Sequence, residues 1–182
     1  MTKQKKLPRV VFTGSHGTGK TTMLDRFRED YPVITEVVRE LIKKGVDTKN
    51  AGLDTQMIIW NEYKSRFEDQ EEYISDRAFL DVLAYTYFLY DKDPEKYKDI
   101  IKQMRMEIRA WMVDYKPLIV YFPIEFDIID DGVRPVDPVY QRAIDGYIQD
   151  LLNDPYTCPY GYYTIRGTED QREATLRRIL DI

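Results

Sequence analysis

The sequence is poor in the residues from which disulfide-bonded and metal-bound scaffolds are built. Its 182 residues include one cysteine, Cys158, and one histidine, His16. A single cysteine can form neither an internal disulfide nor a thiolate metal cluster, so a disulfide scaffold and a zinc ribbon are excluded. This composition fits a reducing compartment, and we expect Cys158 to be structural.

Long apolar segments are also missing. The longest apolar run extends from Leu118 to Ile124, whereas a helix needs about 20 apolar residues to cross a bilayer. The N-terminus, Met1 to Lys6, leads into Pro8 and Arg9 rather than into an apolar stretch, so it does not resemble a secretory signal. We therefore expect a cytoplasmic protein without membrane contact, located in the host cytoplasm if the chain is phage-encoded.

Positive charge is not in excess. The chain has 27 Lys and Arg against 32 Asp and Glu, a net charge of -5, which argues against a protein that coats duplex nucleic acid but leaves a local basic site open. The chain has fifteen tyrosines, and seven of them lie within residues 85–90 and 156–163. They are either amphipathic residues of the core and its rim or, in part, rings that stack on a base.

Apolar periodicity predicts strands that alternate with helices. The predicted strands are 9–13, 33–35, 73–75, 118–122 and 162–166. The predicted helices are 20–30, 37–44, 53–68, 79–90, a helix that starts at 93, one that ends at 153, and 170–180. Such alternation implies a parallel sheet covered by helices on both faces. The sequence contains no linker or internal repeat, so we expect a single domain over residues 1–182.

A glycine-rich motif lies between the first predicted strand and helix. It reads Gly14-Ser15-His16-Gly17-Thr18-Gly19-Lys20-Thr21 and has the glycine, lysine and hydroxyl spacing of a phosphate-binding loop. Glycines let backbone N–H groups turn toward phosphate oxygens, and the helix N-terminus adds its positive dipole end. We expect this stretch, through Thr22, to bind ATP. Lys20 would neutralise the β- and γ-phosphates, and the Thr21 hydroxyl would bind Mg²⁺. The His16 side chain is expected to face outward, with a catalytic role left open.

Four further residues are candidates for the carboxyl edge of the sheet. Asp76, followed by Arg77, comes after a short predicted strand and is either a magnesium-associated carboxylate or a helix-start aspartate beside a surface arginine. Glu36 follows the second predicted strand and is either a general base for the acceptor hydroxyl or a helix N-cap carboxylate. Arg39, one helical turn on, either holds an acceptor or phosphate group or is solvated.

The remaining candidates for the site are a charged loop and a glycine near the C-terminus. Residues 130–135 read Asp-Asp-Gly-Val-Arg-Pro and predict a lid over about 125–138, in which Arg134 closes on the transferring phosphate. A solvated loop is the alternative. Gly167 follows the last predicted strand, where a backbone turn often meets the adenine.

Together these residues resemble the P-loop nucleoside and nucleotide kinases, and more narrowly the AAA-type NTPase family that includes NadR-like nicotinamide riboside kinase domains and many phage proteins. The resemblance covers nearly the whole chain and is carried by residues 14–22, Glu36 with Arg39 and Glu40, Asp76-Arg77 running into 80–85, residues 130–134, and Gly167 followed by Arg172. The Asp76-Arg77 pair is also similar to the Asp-Arg pair of thymidylate kinases. The resemblance implies an α/β, three-layer P-loop NTPase fold with a lid loop and a five-stranded parallel sheet in the order 2-3-1-4-5.

The resemblance also assigns roles within the site. Arg77 would contact phosphate and assist catalysis, and Asp76 would position Mg²⁺ or the acceptor. The implied acceptor site consists of Glu36, Arg39, Arg77, Asp81 and Asp131. NadR-like bifunctional proteins carry an adenylyltransferase domain upstream, whereas about eight residues precede the first predicted strand here. The resemblance therefore does not by itself assign a riboside kinase role within NAD salvage.

Three functions fit this sequence. The leading hypothesis is an ATP- and Mg²⁺-dependent phosphotransferase that acts on a nucleoside or a (deoxy)nucleoside monophosphate. The second keeps this chemistry but takes a hydroxylated base in DNA as acceptor, as in phage DNA modification; the acidic net charge counts against it. The third is a nucleotide-dependent switch with little turnover, although the sequence has no Asn-Lys-x-Asp guanine motif. The oligomeric state is left open.

Overall fold

The protein contains five β-strands in the part of the chain that its structure describes. The computed structural model describes residues 8–35, 37–46, 52–68, 70–127 and 137–182. The strands are β1 (Arg9–Thr13), β2 (Val33–Ile34), β3 (Tyr73–Asp76), β4 (Leu118–Tyr121) and β5 (Tyr163–Thr164).

Seven helices within the described ranges connect and flank these strands. They are α1 (Lys20–Asp25), α2 (Val37–Lys43), α3 (Leu53–Glu68), α4 (Phe79–Tyr90), α5 (Pro94–Tyr115), α6 (Pro138–Asn153) and α7 (Glu169–Leu180). Proline opens α5 and α6, and the side chains of Asp93 and Asp137 cap them by accepting backbone N–H groups. Within the described ranges, no helix combines the length and apolar composition that crossing a bilayer requires.

All strand pairs are parallel, and the sheet order is β2-β3-β1-β4-β5. The predicted α/β fold and sheet order are therefore confirmed. The strand order changes direction at β1, because the chain first moves to β2 and β3 on one side and later to β4 and β5 on the other. Ligands of open parallel sheets bind at the carboxyl edge beside such a switch point.

Alternating side chains of the strands fill two hydrophobic clusters, one on each face of the sheet. Val10 and Phe12 point into a cluster covered by α1 and α7, whereas Val11 points into a larger cluster covered by α2 to α6. Both faces are apolar because a central parallel strand is covered on both sides.

The main difference from the predicted boundaries is the end of α1. It ends at Asp25 rather than near residue 30, because the next residues form i→i−3 hydrogen bonds, such as Phe27 N to Leu24 O at 3.0 Å and Asp30 N to Phe27 O at 3.1 Å. The strand β5 is also shorter than predicted, since it pairs only with β4 at the edge of the sheet and both of its residues are exposed.

Candidate functional site

The glycine-rich motif forms a loop from the carboxyl end of β1 to the start of α1. Gly14 and Gly19 have φ values of 144° and 84°, a region that side-chain-bearing residues rarely adopt. A Cβ added to Gly14 would lie 2.4 Å from the carbonyl oxygen of Phe122. Glycine is therefore required where the loop passes the end of β4.

Lys20 lies inside this loop with 4% of its surface exposed. Its Nζ donates to the carbonyl oxygens of Gly14 at 2.8 Å and Ser15 at 2.6 Å, and to Thr18 Oγ1 at 3.1 Å. An ammonium group in a nearly closed loop creates positive potential at the N-terminus of α1, which suits an anion.

Thr21 and Asp76 meet beside the loop. The Thr21 hydroxyl donates to Asp76 Oδ2 at 2.5 Å, and the Tyr63 hydroxyl donates to the backbone carbonyl oxygen of Asp76 at 3.1 Å. Asp76 is 1% exposed, and within the described ranges its second oxygen, Oδ1, is buried without a hydrogen-bond partner. An unsatisfied buried carboxylate oxygen next to a hydroxyl fits a hard divalent cation.

These two residues would be a partial ligand set for such a cation. The described ranges contain no group of three or more His, Cys, Asp or Glu residues that could hold a metal ion. Mg²⁺ commonly takes one or two carboxylates and completes its shell with water and phosphate oxygens. The predicted pair Thr21 and Asp76 therefore fits Mg²⁺ bound together with a nucleotide.

Arg77 and Asp81 form a buried ion pair at the start of α4. Arg77 Nη1 lies 3.5 Å from Asp81 Oδ1, and the two side chains are 4% and 2% exposed. Asp81 also accepts the backbone N–H groups of Gly14 at 3.4 Å and Ala78 at 3.1 Å. Burial raises the pKa of Asp81, and the cations Arg77 and Lys20 act against that rise. Asp81 thus ties the phosphate-binding loop to α4, a role that its assignment to the acceptor site did not anticipate.

Aromatic rings line the space next to Arg77. The Tyr85 ring centroid is 5.6 Å from the Arg77 guanidinium carbon, and Tyr140 from α6 lies 6.2 Å from Tyr85 and 4.8 Å from Phe88. Tyr85 therefore borders the site, and all three tyrosines of the segment 85–90 pack against the larger cluster.

The prediction that His16 faces outward is wrong. His16 is 2% exposed, because α6 covers the loop: the Tyr140 ring lies 5.7 Å from the imidazole, and Gln141 Nε2 donates to the His16 carbonyl at 2.7 Å. No local sequence pattern predicts this burial, because α6 lies more than a hundred residues further along the chain.

Arg172 lies on α7 and contacts the side of the loop opposite to the one that α6 covers. Its Nη1 donates to the Thr18 carbonyl at 2.7 Å, its Nε to the Gly167 carbonyl at 2.9 Å, and its Nη2 to Glu125 Oε2 at 2.7 Å. Glu125 Oε2 also accepts the Gly167 N–H at 2.9 Å. Gly167, predicted to meet the adenine, is thus joined to the loop through two side chains. Glu125 had no predicted role of its own, and Arg172 was predicted only as part of the family resemblance.

The remaining predicted site residues fall into two groups. Ser15, Gly17, Thr18 and Thr22 lie in the loop or the first turn of α1, and Arg39 lies half-buried on α2, next to the edge strand β2. Glu36, Asp130, Asp131 and Arg134, with most of the predicted lid, lie outside the described residues. Their roles stay predictions.

Solved structures with this architecture include several kinases. A NadR protein in complex with NR superposes with a TM-score of 0.70 and 18% identity over 97% of this chain, and this chain spans about half of that protein, 52%. Thymidylate kinase from Candida albicans gives 0.65 and 16%, covering 98% of this chain and 93% of its own. Deoxyadenosine kinase from M. mycoides, solved with dCMP and dCDP, gives 0.63 and 14%, covering 94% and 97%. At these identities the likeness establishes the fold.

Sequence comparison provides the family. No curated protein matches the chain significantly, whereas the family model described as AAA domain matches residues 9–172. The match begins with β1 and ends at Arg172, so it includes the phosphate-binding loop, the Asp76-Arg77 pair and the α7 arginine. The predicted resemblance to P-loop NTPases is thereby confirmed, and the chain belongs to the AAA domain family.

Proposed function

We propose that this protein is a Mg²⁺-dependent phosphotransferase that moves the γ-phosphoryl group of ATP to a nucleoside or a nucleoside monophosphate. The observation that carries the proposal is the convergence of the Lys20 ammonium, the Thr21 hydroxyl and the unsatisfied Asp76 Oδ1 at the carboxyl edge of β1 and β3. These are the charges and ligands that phosphoryl transfer requires.

The loop would bind the triphosphate through its backbone N–H groups and Lys20. Nucleotide binding would replace the carbonyl partners of the Lys20 ammonium with phosphate oxygens, which bear more negative charge. Thr21 and Asp76 would hold Mg²⁺, which supplies charge neutralisation at the β- and γ-phosphates. Burial of these groups strengthens every electrostatic interaction with the phosphates because little water screens them.

The acceptor would lie on the side of the loop where Arg77, Tyr85 and Tyr140 meet. A guanidinium group next to aromatic rings can bind a phosphate or a ribose together with a base, since the rings supply a stacking surface and the cation an anion partner. The similar structures named above are a NadR protein in complex with NR, a thymidylate kinase, and a deoxyadenosine kinase with dCMP and dCDP bound, which supports this substrate class. No described residue favours a DNA acceptor.

Glu36 and Arg134 complete the proposal. Glu36 would accept the proton of the acceptor hydroxyl as the phosphoryl group transfers in line, and Arg134 would stabilise the charge on that group. Near-normal turnover of Glu36→Gln would remove Glu36 as the base.

The test is an acceptor screen with γ-labelled ATP. Label is expected on an added nucleoside or nucleoside monophosphate, and transfer should need Mg²⁺. Label released only as free phosphate would favour the switch, and label on an oligonucleotide with a hydroxylated base would favour DNA modification. Either result would reject the proposed acceptor class.

Two variants connect the screen to the site. Lys20→Ala should lose nearly all transfer, by about 10³-fold or more, yet keep its fold because the hydrogen bonds that Nζ donates to the Gly14 and Ser15 carbonyls lie within the loop. Asp76→Asn should raise the Mg²⁺ concentration that supports half-maximal rate. Lys98→Ala is the control, since Lys98 forms an exposed ion pair with Glu95 on α5. Normal turnover of Lys20→Ala would refute the site assignment.

A further inference from the structure

We infer that Arg172 and Gln141 are positioning residues that hold the backbone carbonyls of the phosphate-binding loop away from the phosphates. The inference rests on the proposed function and concerns how the loop is kept ready for a nucleotide. Neither residue touches the reacting groups; each acts through the loop.

An anion site made of backbone N–H groups works only if the neighbouring carbonyls point elsewhere, because a carbonyl oxygen that faces a phosphate repels it. Two loop carbonyls, those of Gly14 and Ser15, accept from Lys20, and the Gly19 carbonyl accepts from Met23 within α1. The carbonyls of His16 and Thr18 are held from outside the loop, by Gln141 and Arg172.

Arg172 is built into a fixed position. It is 1% exposed, and each of its three guanidinium nitrogens donates to a different acceptor, namely Thr18, Gly167 and Glu125. The guanidinium carbon lies 4.8 Å from the Phe126 ring centroid and 5.7 Å from that of Phe122. Charge-assisted hydrogen bonds in a buried site are strong and directional, so the Thr18 carbonyl has little freedom to turn inward.

Gln141 holds the His16 carbonyl on the other side of the loop. It is 3% exposed and lies in the first turn of α6, whose start is fixed by Asp137. Its bond to the His16 carbonyl is 2.7 Å long, and the neighbouring Tyr140 ring covers the imidazole at 5.7 Å.

The two contacts differ from those of Lys20 in what nucleotide binding does to them. Lys20 would leave the Gly14 and Ser15 carbonyls to meet phosphate, whereas Arg172 and Gln141 can keep their carbonyl partners throughout. They are therefore the contacts that preserve the loop geometry when Lys20 moves. A preorganised loop binds phosphate without a further ordering cost.

The test measures binding of inorganic tripolyphosphate and of ATP with Mg²⁺ by calorimetry, well below the melting temperature. Arg172→Met and Gln141→Leu are each expected to weaken tripolyphosphate binding, by about 10- to 100-fold and by about 3- to 10-fold. The KM for ATP should rise accordingly, while the KM for the acceptor stays unchanged. Arg172→Lys should retain only part of the affinity. It keeps the positive charge, but one ammonium cannot replace the fixed planar fork that serves three acceptors.

Matched controls separate positioning from general stability. Arg105→Met removes a half-buried arginine bonded to Asp154 at 2.6 Å, and Gln149→Leu removes a glutamine of the same helix as Gln141, bonded to Asp145 at 2.7 Å. Both should lower the melting temperature without changing tripolyphosphate affinity. If the Arg172 and Gln141 variants behave like these controls, the inference is overturned.

The outcomes also separate this inference from the proposed function. If the wild-type protein binds tripolyphosphate and the variants bind it more weakly, but no acceptor is ever phosphorylated, the inference stands and the kinase proposal fails. If the wild-type protein binds neither tripolyphosphate nor ATP, both are rejected. If Arg172→Met does not fold, Arg172→Lys and Gln141→Leu supply the comparison.

Discussion

Arg77 shows how a single residue can combine backbone and charge constraints. Its φ of 78° lies in the left-handed region, which costs a residue with a side chain about 1–3 kcal/mol and persists only when the surroundings enforce it. Here the Arg77 N–H donates to the Phe12 carbonyl at 2.9 Å, the Ser75 hydroxyl donates to the Arg77 carbonyl at 2.6 Å, and the guanidinium pairs with Asp81. This turn places Asp76 beside Thr21 and Arg77 on the aromatic side.

Gly14 gives a prediction at the same scale. Gly14→Ala should destabilise the protein by about 1–3 kcal/mol, because the new methyl group would lie 2.4 Å from the main-chain oxygen of Phe122 and the φ of 144° disfavours alanine. Urea unfolding followed by circular dichroism measures the change.

Gly146→Ala is its control. Gly146 lies within α6, and an added Cβ there meets nothing within 4 Å, so alanine should stabilise the helix by about 0.5–1 kcal/mol. Changes of the same sign in both variants would contradict the steric explanation.

At the scale of elements, α2 is attached to α3 by a bidentate ion pair. Arg66 Nη1 and Nη2 donate to the two carboxylate oxygens of Glu40 at 3.2 Å and 2.6 Å, and the Thr35 hydroxyl donates to the same carboxylate at 2.8 Å. The Arg66 hydrogen bonds, with help from Thr35, lower the pKa of Glu40 to about 2. The short helix α2 buries only Val37 and Leu41, so this pair is a main contact with its neighbour.

The lowered pKa sets the direction of a pH effect. Because the folded state holds the Glu40 carboxyl in its charged form, the pair stabilises the protein above the ordinary pKa of 4.5, and this contribution disappears as the pH falls from there to about 2. Glu40→Gln should therefore lower the urea midpoint at pH 7 and approach the wild-type midpoint near pH 3. The effect is modest since the Glu40 side chain is 39% exposed.

Glu95→Gln serves as the comparison for that experiment. Glu95 pairs with Lys98 one turn along the same helix, and its side chain is 84% exposed, so its removal should leave the midpoint nearly unchanged at both pH values. A Glu40→Gln deficit that grows toward low pH would refute the assignment.

For the whole molecule, the central sheet joins two hydrophobic clusters of unequal size. Both tryptophans, Trp60 and Trp111, lie in the larger cluster, whereas α1 and α7 cover the smaller one. Because β1, β3 and β4 contribute side chains to both clusters, unfolding of either cluster would expose the strands that support the other. This is the physical basis for expecting a single folding unit.

Unfolding of a variant in the smaller cluster tests that expectation. Leu176→Ala, at a fully buried position of α7, should cost about 2–5 kcal/mol. The urea transitions seen by tryptophan fluorescence and by circular dichroism should shift together. Leu151→Ala, in the larger cluster, should likewise shift both transitions together. A fluorescence transition that keeps its wild-type midpoint in Leu176→Ala would contradict the single unit.

The sequence by itself determined the alternation of strands and helices and the phosphate-binding loop. Proline, glycine and apolar periodicity act within a few residues, which is why β1, α3, α4 and the end of α6 lie where they were predicted. The spacing from Gly14 to Thr21 likewise encodes the loop locally. The sheet order came from a resemblance to relatives that keep the same topology.

Only the tertiary structure decided how the site is completed. Gln141 and Arg172 contact the loop across 125 and 154 residues of chain, and the burial of His16 depends on α6 lying over it. Such contacts follow from how whole helices pack against the sheet, and no local pattern of residues specifies them. The unsatisfied oxygen of Asp76 and the bridging role of Asp81 became visible for the same reason, since both depend on which groups surround a side chain in space.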